Sequence, residues 1–143
     1  MSNGPAGDDI CVLTVALVRK GSFAAFVAPR PHELSRLRSQ LRTWLGSVGC
    51  DAEATADIVL ATSEAASNAI EHGAADMQRG VSVVGRVVDD VISVVVRDHG
   101  RWREPGPPLN RGRGIKIMRH LMDSVSVEPG DDGTLVRLER LLK

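Results

Sequence analysis

Glu64, Asn68 and His72 stand four residues apart in Ser63–Gly73, SEAASNAIEHG, among alanines and Ile70. At ~100° per residue, a step of four advances only ~40° around a helix axis, so the three polar side chains share one line. Burying Glu64 and Asn68 without partners would cost on the order of several kcal/mol, so a buried stripe calls for a ligand, a metal, water or a polar network. A magnesium ion carrying phosphates fits that need. Magnesium takes hard oxygen ligands and keeps several waters, so the Asn68 amide oxygen could be one protein ligand while phosphate oxygens supply others. Glu64, one turn earlier, could accept the proton of an attacking hydroxyl or water. A solvated helix face carries the same spacing and is the alternative.

Two further constellations flank a loop. Arg111 to Ile115, RGRGI, opens a helix after residues 99–112, HGRWREPGPPLNRG, which hold three prolines, three glycines and three arginines. Glycines allow close backbone approach, and the free amides of a helix start, with its dipole, attract an anion. An ordinary glycine turn into a helix is the plain alternative. RDHG, Arg97 to Gly100, ends a strand on Asp98, whose carboxylate could accept the exocyclic amine of adenine while Gly100 lets the base lie against backbone. Asp98 solvated in a strand-to-loop turn is the plain alternative there.

The elements that position these residues can be read along the chain. Residues 10–18, ICVLTVALV, form a short β-branched run and suggest a buried strand. Ser22 to Ala28 suggests a second strand, stopped by Pro29 and Pro31. From Glu33 to Val48, Leu34, Leu37, Leu41, Trp44, Leu45 and Val48 recur at helical spacing, and Gly49 closes that helix. Asp51 can cap a long helix reaching about His72, with Gly73 as its stop. Val81 to Val88 and Val91 to Arg97, joined by Asp89 and Asp90, have the pattern of a β-hairpin. Gly114 leads into a helix to about Met122, and Ser124 to Glu128 and Thr134 to Leu141 form a last hairpin across PGDDG. The expected fold class is α/β, a two-layer sandwich whose antiparallel or mixed, mostly antiparallel, sheet carries helices on one face.

Composition removes several classes. The 143 residues suit one domain, and 43% hydrophobic content supports a core without disulfides or metals. Lysine plus arginine, 18, equals aspartate plus glutamate, 18, and aromatic residues make up 3%, so neither nucleic acid nor an anionic membrane is expected as a partner. The arginines of residues 97–119 are the only feature that favours nucleic acid. Cys11 and Cys50 lack zinc-ligand spacing, and the polar, acidic start with no long apolar run leads us to expect no export signal or anchor and a cytoplasmic protein.

The order of motifs carries more than any one of them. The ExxxNxxxH stripe, DHG, GRGIKIM and DGT, spread over residues 22–143, resemble the GHKL superfamily of histidine-kinase-like ATPases, and most closely the anti-sigma-factor serine/threonine-protein kinases of bacteria. The resemblance implies a Bergerat-type α/β sandwich binding ATP with Mg²⁺. It implies phosphorylation of a serine on an anti-anti-sigma factor, sequestration of a sigma factor in transcription regulation under stress, and a homodimer. Carried over by residue, Glu64 corresponds to the general base, Asn68 to the magnesium ligand and Asp98 to the adenine-reading carboxylate. Gly100 would flank the base, Gly112 and Gly114 would cradle phosphates with Ile115 completing the motif, Arg111 and Arg113 would neutralise phosphate charge, and Thr134 would lie near adenine. Residues 99–111 would form a lid. His72 fits the family position and a structural helix-end histidine equally well.

This chain departs from the common DxGxG pattern by reading DHGRW, with Trp102 in place of the second glycine. That departure motivates a rival, a non-catalytic sigma-binding module of the same fold. Residues 1–20, with GDDICVLTVAL, resemble the end of a metal-dependent serine phosphatase domain, so residues 21–143 are expected to hold the kinase domain and residues 1–20 a remnant of an upstream one. An additional N-terminal strand is the alternative.

Overall fold

Two valine-rich strands build the centre of the sheet because β-branched residues suit a pleated surface with one face buried. They are β2, Val81–Val88, and β3, Val91–Asp98, in a computed structural model that describes residues 21–73, 80–98, 111–130 and 133–142. Asp89 (φ 50°) and Asp90 (φ 63°) both occupy the left-handed region between them. Paired positive φ values match the right-handed twist of a two-residue hairpin, and aspartate tolerates them better than bulkier residues do. The turn sets Val88 opposite Val91 and fixes the register of the whole pair.

The other strands, β1 (Ser22–Val27), β4 (Ser124–Gly130) and β5 (Gly133–Leu141), complete a five-stranded sheet in the order β1-β2-β3-β5-β4. Every pairing among the described strands is antiparallel, which settles the choice between antiparallel and mixed. The strand expected over residues 10–18 lies outside the described residues.

Helices α1 (Glu33–Ser47), α2 (Ala52–Gly73) and α3 (Arg111–Leu121) share a core with one face of the sheet. Leu37, Leu41, Trp44 and Leu45 of α1 and Ile58, Ala61, Ala65 and Ala69 of α2 pack over Val83, Val94, Val96 and Leu138. Leu34 and Val48, expected in the same stripe, are only partly buried at its ends. Asp51 caps α2 as expected: its Oδ1 accepts the Ala54 amide at 2.8 Å. Gly85 has to lack a side chain because a Cβ there would stand 2.5 Å from the Trp44 ring.

Most boundaries fall within a residue or two of expectation, and α3 is the exception. It starts at Arg111, three residues before the expected Gly114, so Gly112 and Gly114 lie in its first turn and not in the loop before it. Glycine costs about 1 kcal/mol in a helix relative to alanine, so a pair of them signals a loop. Here the closeness of a neighbouring helix supplies the reason for the glycine.

Candidate functional site

Glu64 and Asn68 stand one turn apart on α2, the described part of the expected polar line, and both are half-buried, as is Asp57 two turns before Glu64. Asn68 lies directly against the first turn of α3. A Cβ added to Gly114 would sit 2.6 Å from Asn68 Nδ2 and 3.4 Å from its Oδ1. Any side chain at that position would displace the amide, so the absence of one sets how close the helix start and the asparagine can be. His72 and Arg111 belong to helical backbone whose side-chain positions lie outside the described residues.

The start of α3 is electropositive by composition. Its first turn contains no acidic residue, whereas α1 has Glu33 and α2 has Glu53 in theirs. Arg113 and Lys116 are exposed beside it, and Ile115 turns inward onto the core. The free N–H groups of a first turn, the positive end of the dipole and two cations favour an anion. The far end of α3 is closed. Arg140 of β5 donates to the Leu121 carbonyl and pairs with Asp57 Oδ2 at 2.9 Å, joining α2, α3 and β5.

Asp98 ends β3 on the helix-covered side of the sheet, alternating with Val94 and Val96. It is 6% exposed, and its Oδ1 accepts the Thr134 amide at 3.3 Å. A backbone donor from the neighbouring strand therefore orients the carboxylate. Gly133 allows the approach: at φ 136° it lies so close that a Cβ would stand 2.1 Å from the Asp98 carbonyl oxygen.

The structure thus brings Asn68 to Gly114, and Asp98 to Thr134, with both pairs on the helix-covered side. Gly100, Trp102 and residues 99–110 of the lid expected over residues 99–111 lie outside the described residues, whereas Arg111, its last residue, begins α3. Gly133, Asp57 and Arg140 were not among the expected site residues. The DGT motif pointed to Gly133, but nothing local in the sequence marks the pairing of Asp57 with Arg140. Among the described residues no three His, Cys, Asp or Glu side chains cluster as a metal site. The expected arrangement needs one protein ligand, and an asparagine amide against an anion-attracting helix start has the right donor chemistry for a magnesium ion that also binds phosphate oxygens.

Known proteins resemble this chain in sequence and in fold. Residues 27–140 match the family described as histidine kinase-like ATPase domain. An anti-sigma F factor of Heyndrickxia coagulans is 34% identical over 95 residues, which is 56% of this chain and 65% of that protein. One from Clostridium perfringens is 35% identical over 102 residues, 62% of this chain and 73% of that protein. The crystal structure of the RsbU and RsbW domains of a Mycobacterium tuberculosis protein superposes with a TM-score of 0.71 at 27% identity, covering 85% of this chain and 32% of that one.

Proposed function

The chain belongs to the histidine kinase-like ATPase domain family, and from that premise we propose that it is an anti-sigma-factor protein-serine kinase. The observation that carries this reading is Asn68 seated against the glycine-bearing, acid-free start of α3. Asn68 would hold Mg²⁺, and the amides of residues 111–114, with Arg111 and Arg113, would hold the phosphates of ATP. Magnesium, when bound, neutralises charge on the β- and γ-phosphates. Asp98, held by the Thr134 amide, would accept the adenine amine, and Gly100 would lie beside the base.

In the transfer, a serine hydroxyl of an anti-anti-sigma protein bonds to the γ-phosphorus. The bond to the β–γ bridging oxygen breaks and ADP leaves. The serine proton passes to Glu64, which lies one turn from Asn68. The names of the relatives support a sigma factor as second partner, and the resemblance implies that the chain self-associates. We place the protein in the cytoplasm; no helix among the described residues is long and apolar enough to cross a membrane.

Glu64→Ala should lower phosphoryl transfer about 100-fold or more while nucleotide still binds, since a general base contributes about 10²–10⁴. Labelled ATP and an anti-anti-sigma protein from the same organism would measure this, and unchanged transfer would remove Glu64 from the role. DHGRW in place of DxGxG favours the second reading, a sigma-binding module without transfer. Tight sigma-factor binding with no labelled product would support that module.

For residues 1–20 we propose the end of an upstream phosphatase domain, a reading supported by the likeness of GDDICVLTVAL to the end of such a domain. A reading frame that starts naturally at Met1 would contradict it.

A further inference from the structure

Arg140 occupies a position on β5 that alternation gives to the core. Leu138, two residues before it, and Ile92, its partner across the register on β3, are both fully buried. From this inner face one nitrogen of the guanidinium reaches two other elements. Nη1 lies 2.9 Å from Asp57 Oδ2 on α2 and donates to the Leu121 carbonyl at the end of α3. Just past that end the chain has two ties of its own to β5: the Asp123 amide donates to the Glu139 carbonyl at 2.9 Å, and Asp123 Oδ2 accepts the Leu141 amide at 2.7 Å. The end of α3 is thus held to β5 with or without Arg140, and what Arg140 adds is a directional contact that ties α2 to both.

Such a tie matters because the packing of these helices resists separation better than sliding. Asn68 meets Gly114 near the start of α3, while Asp57, about three turns before Asn68, is joined through Arg140 to Leu121, about two turns after Gly114, so the two helices run in opposite directions. Between those points α2 buries Ala61, Ala65 and Ala66, and α3 buries Met118. Alanine has little to interlock, and methionine adapts its shape to its surroundings, so neither fixes an axial register firmly. An ion pair inside a fold is weak evidence for stability, and selecting one register among several is its best-attested use.

We propose that Arg140, paired with Asp57, is a positioning residue for phosphoryl transfer, holding α2 in register with α3 and so Glu64 in register with the nucleotide. This inference rests on the kinase reading above and extends it to a pair that touches neither ATP nor the acceptor serine. ATP bound by α3, Asn68 and Asp98 adjusts its position as those elements shift. Transfer instead requires the γ-phosphorus, the serine oxygen and Glu64 to be aligned, and a misplacement of about 1 Å costs about 100-fold in rate. The pair therefore acts on turnover far more than on ATP affinity.

Steady-state transfer of labelled phosphate to an anti-anti-sigma protein from the same organism tests it, with the full chain and three variants each assayed well below its melting temperature. Arg140→Met should lower kcat about 10- to 100-fold while KM for ATP changes less than about tenfold. Asp57→Leu combined with Arg140→Met removes both charges, so the melting temperature should return toward that of the intact chain while kcat stays low. Val27→Ala, in the core of β1 at the far edge of the sheet, should lower the melting temperature and leave kcat unchanged. Unchanged kcat in Arg140→Met would contradict the assignment, as would recovery of kcat together with stability in the double variant. An equal loss of kcat in Val27→Ala would show that turnover follows stability alone and would overturn it too. An intact chain that transfers no phosphate would end the kinase reading itself, and the role of Arg140 with it.

Discussion

The two ends of α3 are built differently. At the C-terminal end Arg140 meets the Leu121 carbonyl and Asp57, while Arg119 and His120 lie in the last turn where the dipole favours cations. At the N-terminal end the first turn has no acidic residue, Arg113 and Lys116 are exposed, and Gly114 stands against an uncharged amide, that of Asn68. One end is closed by groups of the protein, whereas the first turn at the other carries no acidic side chain. A helix anchored at its far end can present free amides at its near end in a fixed position. The difference separates residues that should govern stability from residues that should govern nucleotide affinity.

Gly114→Leu tests the open end most severely. Its side chain must displace the Asn68 amide, so Mg-ATP affinity should fall about 100-fold, equivalent to about 2.8 kcal/mol, with the fold retained. Calorimetric binding together with a thermal melt would check both parts. Gly133→Ala reaches the adenine side. The added methyl collides with the Asp98 backbone in a left-handed conformation, which should cost about 2–3 kcal/mol of stability and lower ATP affinity as well. A denaturant midpoint read beside the same calorimetry separates the two effects. Arg140→Met tests the closed end. Leaving Asp57 unpaired should cost about 1–3 kcal/mol of stability while ATP affinity changes less than about tenfold. A larger loss of affinity than of stability would mean that the two ends are not separate.

Local chemistry made much of this legible. The valine hairpin, the Asp51 cap and the leucine stripe of α1 depend on neighbours a few positions apart, and each lies where periodicity put it. The polar line of Glu64 and Asn68 was legible for the same reason. The features that escaped depend on contacts remote in sequence. Whether the sheet was antiparallel or mixed depends on which strands become neighbours, and β5 inserts between β3 and β4. The start of α3 was misplaced because Gly114 answers to Asn68, on another helix. Arg140 reads as an ordinary polar position in a strand, and only the packing of α2 and α3 over β5 brings Asp57 and Leu121 to it.

Calorimetric titration of ATP into the intact chain and into Asn68→Ala, each with and without Mg²⁺, tests the central claim most directly. Binding that requires magnesium in the intact chain and loses that requirement along with most of its affinity in the variant is the expected result. Equal binding by both chains, with or without magnesium, would contradict the assignment of Asn68 and the start of α3 as the seat of the metal and phosphates.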